Sequence, residues 1–166
     1  MSEIETSRHL LRSWRNEDLT PYAVICADPE LMRYLSGIMT RDQAVEQMER
    51  WMRHWEERGF GLWAVEEKSS GVFLGFIGLL YHEEWPEGEH KTEVGRRLDR
   101  SFWSQGLATE GARASVQHGF KEFGLERIIR IMHPRNVASR RVVEKADAPL
   151  SPTPSAFSHN YLRKLC

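Results

Sequence analysis

Trp103-Ser104-Gln105-Gly106-Leu107-Ala108-Thr109-Glu110 joins an extended run to a long amphipathic one. A polar, glycine-containing turn between a strand and a helix aims backbone N–H groups and the helix's positive end at one spot. That geometry suits phosphate or pyrophosphate. Gly106 permits close backbone approach, and Ala108 adds no bulk at the helix start. With one glycine the segment is neither a G-x-x-x-x-G-K-[ST] loop nor a G-x-G-x-x-G fingerprint. On spacing alone it also fits an ordinary strand-to-helix turn. Upstream, residues 92–98 alternate in their first half and read as a strand. Downstream, Ala108, Ala112, Val116, Gly119, Phe120 and Phe123 form one stripe of a helix over 108–123, with Gly124 as its stop. Residues 128–132 are rich in β-branched side chains and predict a strand. Residues 136–145 predict a short helix capped by Asn136.

Toward the N-terminus, residues 10–14 predict a first strand. Asn16-Glu17-Asp18 caps a helix running toward Ala27, and Pro29 opens a short one through Tyr34. Thr40-Arg41-Asp42-Gln43 has the spacing of a capping box. Val45, Met48, Trp51, Met52 and Trp55 then share one helical face, and Gly59 is the stop. Residues 61–66 and 72–81 flank Ser69-Ser70-Gly71 and predict an antiparallel hairpin, followed by a polar loop over 83–90. Antiparallel strands come first, then strand–helix–strand–helix. That order implies an α+β fold whose mixed sheet has one parallel crossover.

The 166 residues fit one domain over 1–166. Lys+Arg 23 against Asp+Glu 24 leaves no basic excess to draw the chain to nucleic acid or an anionic membrane. Cys26 and Cys166 leave one disulfide open but offer no close pair for zinc. The start, Met1-Ser2-Glu3-Ile4-Glu5, does not read as a signal peptide. The longest apolar stretch, 72–81, is about ten residues where a membrane span needs roughly 20. A cytoplasmic protein is expected. None of the seven histidines has metal-ligand helical spacing, so surface or packing roles and no metal are expected. The Trp51/Trp55 pair at i, i+4 reads as core. Glu83, Glu84, Glu87 and Glu89 around Trp85 either attract a cationic amine or form a solvated loop.

Thr92-Glu93-Val94-Gly95-Arg96-Arg97-Leu98 followed by Phe102-Trp103-Ser104-Gln105-Gly106-Leu107-Ala108-Thr109-Glu110 resembles the acetyl-CoA-binding core of the GNAT superfamily of N-acetyltransferases. The tryptophan before the loop and Ala-Thr-Glu within it resemble the branch containing ribosomal-protein N-terminal acetyltransferases. Asn136-Val137-Ala138-Ser139-Arg140-Arg141-Val142-Val143-Glu144-Lys145 resembles that branch's Asn-x-x-Ser-x-x-[Val/Leu]-x-Glu-Lys helix. Gly59-Phe60-Gly61-Leu62-Trp63-Ala64-Val65 and Gly75-Phe76-Ile77-Gly78-Leu79 match its central hairpin, and Leu10-Leu11-Arg12 its first strand. The resemblance spans residues 5–145.

The resemblance implies a splayed, mostly antiparallel sheet flanked by helices, with pantetheine in the splay. It implies acetyl-CoA as co-substrate, no metal, and direct transfer to an amine acceptor, either a protein N-terminus or a small molecule. By motif, Leu98 meets pantetheine through its backbone. Ser104, Gln105, Gly106, Leu107, Ala108 and Thr109 form the phosphate cradle, Trp103 before it is also expected to bind the coenzyme, Asn136 meets the pantetheine arm, and Ser139 faces the thioester sulfur. Glu93, near the family's general-base position, is expected to act as base through water. Ser139 is expected to protonate the leaving thiolate, with Tyr161 as second choice. The bland readings are a solvated carboxylate for Glu93 and a helix-face hydroxyl bonded to its own backbone for Ser139.

Three departures from the family pattern stand out. Ser104 replaces a usual glycine. Arg96 replaces a usual large aromatic; an arginine there is open to an acidic substrate, to the coenzyme or to solvent, with solvent the favoured expectation. After Lys145, Pro149, Pro152 and Pro154 interrupt what is usually a closing hairpin, so 146–155 is expected to be irregular. Residues 156–165, with Tyr161-Leu162-Arg163, or a second subunit in a homodimer, would then close the acceptor side. That ending leaves open a non-catalytic coenzyme-binding or sensor module as the alternative.

Overall fold

The computed structural model describes residues 2–35, 37–83, 91–131, 133, 135–146 and 160–161. Five strands form one antiparallel sheet in chain order: β1 (Ile4–Glu5), β2 (His9–Arg12), β3 (Leu62–Glu67), β4 (Phe73–Tyr81) and β5 (Thr92–Leu98). The mixed α+β class expected from the sequence is the one observed.

The first predicted strand ends at Arg12 rather than at Trp14. Arg12 is buried and forks onto Asp18, with Nη1–Oδ2 and Nη2–Oδ1 both at 2.8 Å, while its Nε donates to Glu66 at 2.7 Å. Burial of a guanidinium is tolerable when its donors are met in this bidentate way. The pairing turns the chain out of the sheet into a 3-10 turn over Asn16–Asp18, and only then does α1 (Leu19–Ala27) begin. Asp18 therefore anchors that turn, accepting Arg15 N–H at 2.8 Å as one arm of its capping box, and makes no side-chain cap to α1 itself. The Asp28 carboxylate accepts Glu30 N–H and Leu31 N–H to start α2 (Pro29–Met32), which stops short of the predicted Tyr34. The capping box at Thr40 and Gln43 forms as read and opens α3 (Arg41–Arg58), which ends on left-handed Gly59.

The sheet is packed on both faces. On one, Leu11, Val65, Leu74, Ile77, Leu79 and Val94 meet Leu107, Ala112 and Val116 of α4 (Leu107–Glu122). On the other, Ala64 and Phe76 meet Trp14, Tyr22, Met48 and Trp51 beneath α1 and α3. Trp51 and Trp55 are both core, as their spacing implies. Strand β4 serves both layers because its side chains alternate, and a bulge shifts its register against Val65 and Glu66 of β3. Gly75 sits there at φ +128°, and a Cβ would fall 2.1 Å from the Arg97 carbonyl oxygen. Helix α4 lies low on β4 because it carries glycine where it crosses. A Cβ on Gly111 would stand 2.5 Å from Ile77 Cδ1, and one on Gly119 2.6 Å from Leu79 Cδ1.

Beyond β5 the sheet opens. Ile129 N–H donates to Thr92 O at 2.8 Å and Val94 N–H to Ile129 O at 3.0 Å, a single parallel bridge between Glu93 and Ile129. The next residues, β6 (Arg130–Ile131), pair in parallel with β7 (Asn160–Tyr161) instead. Ladder alternation leaves the N–H groups of Arg96 and Leu98 pointing to the side from which β6 has departed. Between β6 and β7 the chain forms α5 (Val137–Ala146), packed on α4. Ala146, expected in the irregular segment, is the last residue of this helix. Residues 147–155 and the Glu84–Glu89 part of the polar loop lie outside the described residues.

Among the described residues no helix is long and apolar enough to cross a membrane, and no group of three His, Cys, Asp or Glu could hold a metal ion. Cys26 is a buried free thiol, and Cys166 lies outside the described residues.

Candidate active site

The loop after β5 is fixed at both ends. Asp99 accepts Ser101 N–H at 2.8 Å and starts a 3-10 turn over Arg100–Phe102. Trp103, half-exposed, donates its indole N–H to Leu98 O at 2.9 Å. The Leu98 carbonyl is thereby occupied, and its N–H is the group left facing the splay. Ser104 has φ 63° and Gly106 φ 79°, so two left-handed residues bracket Gln105 ahead of the first turn of α4. This alternation folds successive N–H groups toward one concave point, joined by the helix's own free N–H groups. Serine holds the left-handed position at some cost in backbone strain, which glycine would lack.

A second clamp comes from the β1–β2 turn. Arg8 donates from Nη1 to Gln105 O at 2.8 Å and from Nε to Glu110 at 2.6 Å. Arg8 N–H and Ser7 Oγ also donate to Glu110. Burial works against charge on Glu110, but hydrogen bonds from Ser7, Thr6 and Arg8 outweigh it and hold its pKa at about 2. Arg8 carried no motif signal of its own, because the contact joins segments about a hundred residues apart. Gly106 and Thr109 open onto a cleft of about 550 Å³ that also includes Thr6, Ser7, Arg113 and Lys145. Arg113 donates to Lys145 O at 2.7 Å, and its buried Nε has no acceptor among the described residues. A phosphate-bearing ligand fits this setting: free N–H groups, a bare Gly106 and adjacent cations. Leu107, expected in the cradle, turns its side chain into the core and contributes backbone alone. Gln105, Ala108 and Thr109 lie on the loop and first turn as read, with Gln105 Nε2 donating back to Ser101 O at 3.2 Å.

The two expected catalytic residues flank the opening from different sides. Glu93 shares a face with Gly95, where a Cβ would lie 3.5 Å from Glu93 Oε1 and 3.3 Å from Leu62 Cδ2, on the α1/α3 side. Its Oε2 is 2.8 Å from His82 Nε2, and its side chain is 16% exposed. It is therefore paired rather than merely solvated. His82, at the end of β4, gave no sequence signal because only the β4–β5 register brings it beside Glu93. Ser139 lies on the first turn of α5. Its N–H donates to Asn136 Oδ1 at 2.9 Å, so Asn136 caps the helix as read and has that oxygen engaged. Tyr161 falls in β7.

Arg96 does not face solvent. It reaches from β5 across the opening, and its Nη2 donates to Ser139 Oγ at 2.8 Å and Ser139 O at 2.7 Å. Burial, then the Arg130 charge, lower its pKa to about 10, against an opposing pull from Glu93.

Comparison with known proteins agrees with this geometry. The acetyltransferase (GNAT) domain family matches residues 8–148. YkkB of Bacillus subtilis, a protein named as uncharacterised, is 32% identical over 92% of this chain and 88% of its own. A GNAT-family acetyltransferase from Bacillus anthracis superposes with a TM-score of 0.75 at 27% identity, covering 87% of this chain and 82% of that one. The ribosomal-protein-S5-alanine acetyltransferase of Vibrio fischeri shares the fold, with a TM-score of 0.71 at 17% identity over 88% of this chain and 82% of its own. With a phosphate-fitting loop, a splayed sheet and a family match over most of its length, this chain belongs to the GNAT acetyltransferases and is an N-acetyltransferase.

Proposed function

We propose that the protein transfers the acetyl group of acetyl-CoA directly to a primary amine, either a protein N-terminus or a small molecule. The observation that carries this reading is the loop from Ser104 to Thr109, with its two left-handed residues and helix start set beside the opening of the sheet. Acetyl-CoA supplies an acyl group already activated as a thioester. The N–H groups of the loop hold the pyrophosphate, and the Arg96 and Leu98 N–H groups on the open edge of β5 pair with the pantetheine arm or the oxyanion.

An amine attacks only when unprotonated. With an ordinary α-amino pKa of about 8, a base lowers the barrier modestly, and positioning contributes more. Glu93 takes the ammonium proton, directly or through water, and His82 fixes the orientation of its carboxylate. Ser139, on the other side of the opening, meets the sulfur. The coenzyme thus enters from the α4/α5 side and the amine from the α1/α3 side.

The test is thiol release from acetyl-CoA across a panel of peptides with free N-termini and small amines. Release that depends on the amine supports transfer. Thermal stabilisation by acetyl-CoA with no release on any amine supports a non-catalytic binding module instead.

A further inference from the structure

We propose that Arg96 is the group that receives the leaving thiolate, its guanidinium bridging β5 to Ser139 and presenting positive charge where the C–S bond breaks. This assignment rests on the acetyl-CoA reading above. Arg96 Nη2 donates to both the hydroxyl and the carbonyl of Ser139. An Oγ that accepts from a cation has its own O–H free to rotate toward another acceptor. The same guanidinium keeps further donors, since it carries five N–H groups in a rigid fork. No carboxylate among the described residues forms an ion pair with it. A cation placed in this way is well disposed toward an anion that develops during reaction.

The charges bearing on Arg96 come from named elements. Arg130 on β6 repels it, and Glu93 on its own strand attracts it. From α5 it meets Ser139, and α4 packs Leu107, Ala112 and Val116 into the core shared with Val94 and Leu98 of β5. With a pKa of about 10, Arg96 stays protonated at neutral pH.

The step balances without a protein acid. Glu93 first passes the ammonium proton on to solvent; the neutral amine nitrogen then forms a bond to the acetyl carbon, and the ionised Glu93 takes the second proton, which the nitrogen loses on attack. The C–S bond then breaks with its electron pair on sulfur. The thiolate is held by Arg96 and by the Ser139 O–H, and takes a proton from solvent on release. A large aromatic side chain at this position would offer no charge, which makes Arg96 a substitution of mechanism as well as of shape.

The test is the thiol titration of bound CoA, followed by thiolate ultraviolet absorbance, with CoA affinity measured by calorimetry on the same samples. In the unmodified protein the bound thiol should titrate at least one pH unit below free CoA. Arg96→Met should return it to the free value, and Arg96→Lys should keep most of the shift. Arg96→Tyr, bearing the aromatic usual in the family, should behave as the methionine variant. Variants that bind CoA with the thiol titrating as in the unmodified protein would overturn the proposal while leaving the coenzyme reading intact. So would tighter CoA binding in Arg96→Met with no change in titration, which would make Arg96 a plug. Failure of the unmodified protein to bind CoA would overturn the coenzyme reading, and this proposal with it.

Discussion

Glu93 and Glu110 are both carboxylates held by partners, yet they do different work. Glu93 lies beside the opening with one hydrogen bond to His82. On the proposed assignment, replacing it with glutamine keeps the shape and removes the base. Turnover should fall on the order of 10²-fold, CoA affinity measured by calorimetry should barely change, and the deficit should shrink at high pH as the amine deprotonates unaided. Glu110 binds nothing that reacts; it ties the β1–β2 turn to the loop. Its pKa of about 2 lies below an ordinary carboxylate's. The stability it contributes is therefore complete above the unfolded-state value near 4.5 and is lost as pH falls from there toward 2. Denaturant midpoints of Glu110→Gln should accordingly lie below those of the unmodified protein at pH 6 and converge with them toward pH 2. At this scale the sequence was partly readable. Gly106, Glu93 and Ser139 stand inside contiguous motifs, so their places could be read by position. Arg8, His82 and Arg96 act through partners elsewhere in the chain, and residue type alone cannot say whether an arginine faces water or another segment.

The elements that local rules could specify are those that formed closest to expectation. The capping box at Thr40, the stop at Gly59 and the stripe on α4 need only short-range chemistry. Strand β1 escaped notice because two residues carry no periodicity; it is a strand only because β2 offers an edge. The loop before α4 is the element to which we assign coenzyme binding, and Gly106 is its most constrained point. Gly106→Val would place a β-branched side chain at φ 79°, a region such residues avoid. It would also set a Cβ 3.5 Å from Arg8 Nη2, with further methyls where we propose that the pyrophosphate approaches. Acetyl-CoA affinity should fall at least tenfold, about 1.4 kcal/mol, in a variant whose circular dichroism shows α4 retained. Undiminished affinity in that folded variant would remove the loop from the binding site.

At the scale of the whole molecule, the decisive feature is where the sheet stops being continuous. Nothing within residues 128–132 says that Ile129 pairs with β5 while Arg130 and Ile131 pair with a strand thirty residues later. That choice depends on competition between two long-range partners, which is why the splay entered the sequence reading through family resemblance and not through pattern. It also makes a prediction about how the opening is held. On the β5 side, β6 is tied by the two hydrogen bonds of the Glu93–Ile129 bridge. On its other side, Arg130 and Ile131 rely on Asn160 and Tyr161 of β7. Ending the chain after Ala146 removes β7 and leaves the five antiparallel strands and α4 intact. Amide hydrogen exchange should then quicken at Arg130 and Ile131, while amides of β3 and β4 stay slow, because the latter are paired on both sides within the sheet. Acetyl-CoA should still stabilise the shortened chain against heat, since the loop on α4 is untouched. Acceptor-dependent thiol release should weaken, since β6 borders the opening and loses the strand that pairs it on its other side. Unchanged exchange at Arg130 and Ile131 would mean that β6 is held by β5 and α5 alone, and the parallel pair would then have no part in shaping the site.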